Sequence, residues 1–303
     1  MIRIILFLLL TSFTETIVAQ LMPQSTLFIY NPIWNNPGAT GAQDALSMTM
    51  TSRKMWLGFS GAPSTNYLAI HSPLKKESIA VGLQLLNDKI GVGRSTGIMA
   101  MGAYKVKIYN GTLSFGMGAG IQSNQNTWSE VITTDGNDDV YTSGDQAYMT
   151  YLASVGAYYR DELWTVGLSI PNLLSETYNG GGTYTTRSEI TNYSYHLMCS
   201  RKIAINKNYF IQPGTLIKYH APSSPQIDLS LIGGMKHFEI GTNYRHKDAL
   251  SGIIRLNINS QFNITYAFDR PTSDIKQTTS GSHEFMMAYT FLYHTKAPGA
   301  RFL

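Results

Sequence analysis

The sequence predicts an all-β chain, a transmembrane antiparallel up-and-down β-barrel of about 14 strands, with about 12 or about 16 as the alternatives. Three observations predict it. Apolar residues alternate with small or polar ones at a period of two along most of the chain. Only 14% of the 303 residues are charged although 43% are hydrophobic, whereas soluble domains carry roughly 25% charged residues. Finally, long links between the alternating segments fall mostly on one side and short links on the other, as in outer-membrane barrels.

The first residues set the compartment. Met1-Ile2-Arg3 supplies a positive n-region, Ile4 to Leu10 an apolar h-region, and Val18-Ala19 a small-residue cleavage site before Gln20. Residues 1–19 therefore read as a cleaved signal peptide on an exported chain. Ile4 to Leu10 is also the longest uninterrupted apolar run, far short of the roughly 20 residues of a membrane-spanning helix. Residues 20–44 follow as an N-terminal arm or plug, in which Asn31-Pro32 and Asn36-Pro37-Gly38 are turn formers set beside Tyr30 and Trp34. The barrel takes residues 45–294, and 295–303 remain as a periplasmic C-terminal tail.

The clearest strand places Leu113, Phe115, Met117, Ala119 and Ile121 opposite Ser114, Gly116, Gly118, Gly120 and Gln122. Ile79 to Leu85, Trp164 to Ile170, Phe238 to Tyr244, Phe262 to Phe268 and Phe285 to Tyr293 repeat the alternation. Strands are expected near 45–53, 63–72, 78–88, 95–108, 111–124, 147–160, 163–171, 190–203, 208–220, 225–232, 236–246, 249–258, 261–269 and 282–294. Each is close to the roughly 9 to 11 residues that cross a bilayer when tilted. The links 54–62, 125–146, 172–189 and 270–281 are long and external, whereas those at Pro73, Asn110-Gly111, Asp161-Glu162 and 204–207 are short. Two late external links, around Pro222 and Lys247-Asp248, are also expected to be short. Tyr104, Tyr109, Tyr158, Tyr159, Trp164, Tyr209, Phe210, Phe291 and Tyr293 at one rim, and Tyr148, Tyr219, Tyr244 and Phe268 at the other, read as aromatic girdles.

A sheet in lipid must close on itself, because each unpaired backbone amide there costs several kcal/mol. The resulting lumen accepts polar groups, and Gln84, Glu239, Arg245, Arg255 and Glu284 are placed there. Gly116, Gly118 and Gly120 leave room for a segment packed inside, or relieve crowding in a curved strand.

Composition excludes several classes. An aromatic share of 12%, with 19 Tyr, is too rich for a disordered chain. A single cysteine, Cys199, excludes an internal disulfide framework and any multi-cysteine metal site. The net charge of +4 is spread without a basic run, so no nucleic acid partner is expected. The nucleophile elbow, the His-Glu-x-x-His pair and the phosphate-binding loop are all missing. Gly91-Val92-Gly93 is a hairpin loop. Asp135 to Asp139 resembles a calcium loop, but Val140 and Gln146 stand where that loop needs Gly and Glu, so with Glu130 and Asp145 it reads as an acidic external loop. Neither a catalytic residue, a metal site nor a cofactor is expected.

The run from Asn31-Pro32 and Asn36-Pro37 through Arg53-Lys54-Met55-Trp56-Leu57-Gly58-Phe59, Gly61-Ala62-Pro63, His71-Ser72-Pro73 and Asp88-Lys89-Ile90-Gly91 is not required by periodicity. It resembles the PorP/SprF family of the type IX secretion system of Bacteroidetes. Gly167 to Leu174 and Gly281-Ser282-His283-Glu284 extend the likeness. The family usually has Asn-Pro-Ala-Tyr-Ala-Gly where this chain has Asn36-Pro37-Gly38-Ala39-Thr40-Gly41. The resemblance implies a non-enzymatic barrel, integral to the outer membrane and in contact with its lipid. Such a protein would support export or surface attachment of a secreted adhesin with a C-terminal targeting domain, and would work with periplasmic secretion-system lipoproteins and gliding motility. Arg53, Trp56, Gly58, Phe59, Gly61, Ala62 and Pro63 are then the candidate partner-contact or gating loop, with Asn31, Pro32, Asn36 and Pro37 marking the arm. A transporter of hydrophobic small molecules, similar to fatty-acid channels, or a diffusion porin is the alternative. The transporter would show an apolar lumenal pocket and a lateral gap in the wall.

Overall fold

The alternation closes into a cylinder in the computed structural model of the chain, which describes residues 22–74, 78–131, 144–178, 184–188, 190, 193–220 and 223–291. The strands are β1 (Leu46–Lys54), β2 (Ser64–Pro73), β3 (Ile79–Ile90), β4 (Gly93–Ile108), β5 (Gly111–Asn126), β6 (Gln146–Arg160) and β7 (Trp164–Ile170). After a short external hairpin, β8 (Ser175–Tyr178) with β9 (Tyr184–Arg187), come β10 (Ser194–Arg201), its continuation β11 (Ile203–Ala204), and β12 (Phe210–His220). The wall ends with β13 (Gln226–Gly234), β14 (Phe238–Arg245), β15 (Ala249–Asn257), β16 (Phe262–Pro271) and β17 (Ser282–Phe291). Each wall strand pairs antiparallel with its neighbours, and β1 pairs β17, so the barrel is a closed sheet of 14 strands.

Lipid dictates which face is apolar. Phe115, Met117, Leu168, Ile240 and Leu250 turn outward and are more than half exposed in the isolated chain, as expected for side chains that hydrocarbon covers. Gln84, Glu239, Arg245, Arg255 and Glu284 all face the lumen. Three girdle residues do not face lipid: Phe210 lies on the inward face of β12 with Gln212 and Leu216, and on β6 Tyr158 is buried in the lumen while Tyr148 lines a lumenal cavity. The parity of the two tyrosines along β6 matches Thr150 and Ser154, which point inward, and that parity overrides a rim position.

The links sort largely as expected. β3 and β4 join through a two-residue turn at Gly91-Val92, a third short external link, because β3 runs on to Ile90. Gly91 takes φ +58° there, a left-handed conformation that glycine adopts without a Cβ clash. The hairpin β8–β9 inside the long link after β7 was not anticipated. The signal peptide, the acidic run Asp135 to Asp139, Tyr293 and the C-terminal tail lie outside the described residues.

Candidate functional site

The segment before β1 packs against the inner faces of nearly every wall strand. Near the periplasmic end, Lys105 Nζ reaches the Asp44 carboxylate at 2.5 Å and the Gly41 carbonyl at 3.1 Å. Arg160 donates to the Ala42 carbonyl, and the Gly41 amide donates to His71 Nδ1 at 3.0 Å. Further up, two single-turn 3₁₀ helices, Pro32–Trp34 and Pro37–Ala39, begin at Asn31 and Asn36. Proline suits the first helical position because its missing N–H would have no partner there. The Asn36 Oδ1 caps its turn by accepting from the Gly38 amide at 2.8 Å, while its Nδ2 donates to the Ala157 carbonyl at 2.9 Å.

Two wall glycines make this contact possible. A Cβ on Gly116 would stand 2.3 Å from the backbone of Pro37, and one on Gly156 would stand 2.1 Å from Asn36 Oδ1. The wall donates further bonds to the arm: Gln84 Nε2 donates to the Ile33 carbonyl at 2.8 Å and Ser169 Oγ to the Asn35 carbonyl at 2.7 Å. Trp34 lies against Tyr67 with ring centroids 4.4 Å apart. Tyr30 donates to Glu239 at 2.9 Å under the Arg255 guanidinium, and burial, with the Glu239 charge adding to it, raises that phenol well above its ordinary pKa.

Apolar wall residues appear where the segment lies on them. Leu27 packs with Ile232, Ile253, Ala267 and Met286, and Phe28 sits in a cluster with Met198 and Leu216. Each such burial contributes about 1.5–3 kcal/mol. These inward apolar positions had no signal in the alternation, which reads only the difference between the two faces.

At the external end, six charged side chains converge. The Arg53 guanidinium donates to Asp269 at 2.5 Å and to Glu284 at 2.8 Å. Arg245 Nε donates to Asp228 at 2.8 Å, and its Nη1 donates to Asp248 at 3.2 Å. All but Asp248 are at most 2% exposed. Thr26 joins the two halves, since its hydroxyl donates to Asp269 at 2.9 Å and accepts from both Arg53 and Arg245. The Thr26 amide and the Ser25 hydroxyl both donate to Glu284, at 2.7 Å and 2.5 Å. Buried charges hold together only when paired and hydrogen-bonded on nearly every side. Here the N-terminal segment supplies part of that pairing.

Arg53 thus belongs to the lumenal cluster and not to the exposed tip of the first external loop. Pro63 is buried as well. Gly58, Phe59, Ser60 and Gly61 form the exposed tip, with Phe59 51% exposed, while Trp56 and Ala62 are half-buried. The loop is strapped down by backbone bonds. Leu57 exchanges hydrogen bonds with Gly281 and Ser280 at 2.8 and 3.0 Å, Trp56 N donates to Ser282 Oγ at 3.1 Å, and the Gly91 amide reaches the Gly61 carbonyl at 2.8 Å. Trp56, Gly58 and Gly61 all have positive φ, which for tryptophan is an uncommon conformation.

Apolar outside, polar inside, closed and antiparallel, this architecture defines an outer-membrane β-barrel. The chain belongs to the PorP/SprF family: a model described as type IX secretion system membrane protein PorP/SprF matches residues 17–289. It is accordingly an outer-membrane component of the type IX secretion system, in a family and fold of non-enzymatic barrels. No curated protein sequence matches the chain. Among solved structures, the Acinetobacter baumannii outer membrane protein Omp33 is similar at 8% identity and a TM-score of 0.46, covering 82% of this chain and 98% of that one. A Pseudomonas aeruginosa FadL homologue is similar at 10% identity and a TM-score of 0.46, covering 90% and 95%. The translocator domain of the Neisseria meningitidis autotransporter NalP follows at 11% identity and 0.44, covering 82% and 88%.

Proposed function

We propose that this protein serves the secretion machinery as a non-catalytic adaptor whose lumen is stoppered by its own N-terminal arm. It supports export or surface attachment of an adhesin with a C-terminal targeting domain, contributes to gliding motility in a Bacteroidetes host, and docks periplasmic lipoproteins of the machine. Residues 1–19 act as the cleaved signal peptide, 20–44 as the plug and 295–303 as a periplasmic tail. Trp56, Gly58, Phe59, Gly61 and Ala62 present the external contact surface, and Arg53 and Pro63 brace it from below. The observation that carries this reading is the network joining Thr26 to Arg53, Arg245, Asp269 and Glu284, because a conduit for solutes gains nothing from a segment fixed across its lumen. Affinity capture of the tagged protein from native membranes, followed by mass spectrometry, tests it. Recovery of secretion-system lipoproteins and an adhesin is expected. Capture of neither would refute the proposal.

A further inference from the structure

The outer face of β1 to β4 changes character in three tiers, each set by register. Met50, Leu68, Leu85 and Ile98 lie side by side on the lipid face, each opposite the next. Two residues nearer the external end, the same strands present Ser52, Asn66, Asn87 and Thr96, again directly opposed. Ser52 Oγ donates to Asn66 Oδ1 at 2.9 Å, and Asn87 Nδ2 to Thr96 Oγ1 at 2.7 Å. Two residues further stand Lys54, Ser64, Lys89 and Arg94, with His283 of β17 opposite Lys54. Lys54, Lys89 and Arg94 are all exposed. Strand geometry puts the cations roughly 13 Å beyond the apolar tier and neighbouring strands roughly 5 Å apart.

The outermost tier gathers one sign of charge. Lys89 and Arg94 are directly opposed, a juxtaposition that costs a sheet stability and that an anion would relieve. The remaining neighbours in the tier are hydroxyl, amide or imidazole: Ser64 beside Lys54 and Lys89, Gln125 beside Arg94, and His283 beside Lys54. The acids next in sequence point inward, Asp88 to the Thr65 hydroxyl at 2.6 Å and Glu284 to Arg53 at 2.8 Å. On the far side of the barrel the last outward residues of β12, β14 and β15 are Tyr219, Tyr244 and Leu250, so the cations mark one arc of the rim. At the β17 end of that arc lies a groove of about 320 Å³ lined by Ser52, Lys54, Leu57, His283 and Phe285. Tyr266 OH stands 2.5 Å from His283 Nδ1; with the phenol donating, the ring proton is on Nε2, which is left as a donor.

We propose that this face binds a phosphate-bearing glycolipid of the outer leaflet. Its acyl chains lie along Met50, Leu68, Leu85 and Ile98, its sugar meets the hydroxyl and amide tier, and its phosphate is held by Lys54, Lys89 and Arg94. Arginine grips phosphate through two parallel N–H bonds, and lysine acts as a point charge. The order of the tiers selects a membrane lipid over a free anion, because the lower two offer inorganic phosphate nothing. The site stands apart from the adaptor reading and does not depend on it.

The full chain in detergent is titrated with lipid A, a phosphorylated and acylated glucosamine disaccharide, and bound lipid is counted by native mass spectrometry. A saturable adduct is expected, weakened at least tenfold in a Lys54→Gln/Lys89→Gln/Arg94→Gln protein. The unchanged chain should lose as much affinity for lipid A stripped of its phosphates, an arm that no folding defect can mimic. Lys207→Gln/Lys236→Gln/Lys247→Gln removes three exposed lysines from turns elsewhere and should bind as the unchanged chain does. Excess inorganic phosphate should not displace the lipid. The inference is overturned if the first variant or the dephosphorylated lipid binds as tightly, if the second variant loses as much affinity as the first, or if inorganic phosphate alone strips the lipid away.

Discussion

The Arg53 guanidinium donates to the Asp269 carboxylate at 2.5 Å with both side chains at most 2% exposed. The two residues lie 216 positions apart, on β1 and β16, and β17 separates their strands in the wall. Their contact, shared with Glu284 and Thr26, ties the N-terminal segment to the strands that close the cylinder.

Removing one partner of a buried pair costs about 3–5 kcal/mol because the other charge stays behind unpaired. Arg53→Met should therefore lower the free energy of barrel unfolding in lipid vesicles by that much, read as a lower urea midpoint at unchanged slope. Arg53→Lys keeps the charge but cannot serve Asp269 and Glu284 together, and should fall between. An unchanged midpoint in Arg53→Met would show that the network contributes nothing to stability.

Gly116→Leu should expel the arm. Its Cβ would meet the Pro37 backbone at 2.3 Å, and neither backbone can give way cheaply. Chymotrypsin, which finds Phe28, Tyr30 and Trp34 buried or half-buried in the native protein, should then cut within the arm while the barrel core stays resistant. Equal resistance in both proteins would contradict the packing described.

Asn36→Ala removes three bonds at once, to the Gly38 amide and to the Ala157 and Leu168 carbonyls. A loss of about 1–3 kcal/mol is expected for an unsatisfied buried group, read as a lower thermal midpoint without loss of membrane insertion. Asn36→Asp should be worse, since its charge would face two carbonyl oxygens.

Trp56→Ala separates the two roles of the external loop. If the loop contacts cargo, adhesin display on the cell surface should vanish while the barrel still inserts, scored by surface immunolabelling and by gel mobility of the unheated protein. Normal display would assign Trp56 to loop folding alone.

Much of this architecture was legible in the residues. Lipid on one side and water or polar chain on the other impose a contrast at every second position, as in Leu113 to Gln122, and fourteen such segments recur as the wall. The lumenal cluster was not legible, because Arg53, Asp228, Arg245, Asp269 and Glu284 meet only through closure of the sheet. One signal was present: each is a charge at an inward position close to the external end of its strand. Apolar inward residues such as Ile232 and Met286 break the alternation for a different reason, contact with Leu27, which no local pattern encodes.

The claim beneath the rest is that the segment held by Arg53 and Arg245 fills the lumen. Single-channel recording in planar lipid bilayers tests it most directly. The full chain should be electrically silent, and a variant lacking residues 22–40 should show stable conductance steps. Steady conductance through the full chain, equal to that of the shortened variant, would contradict it.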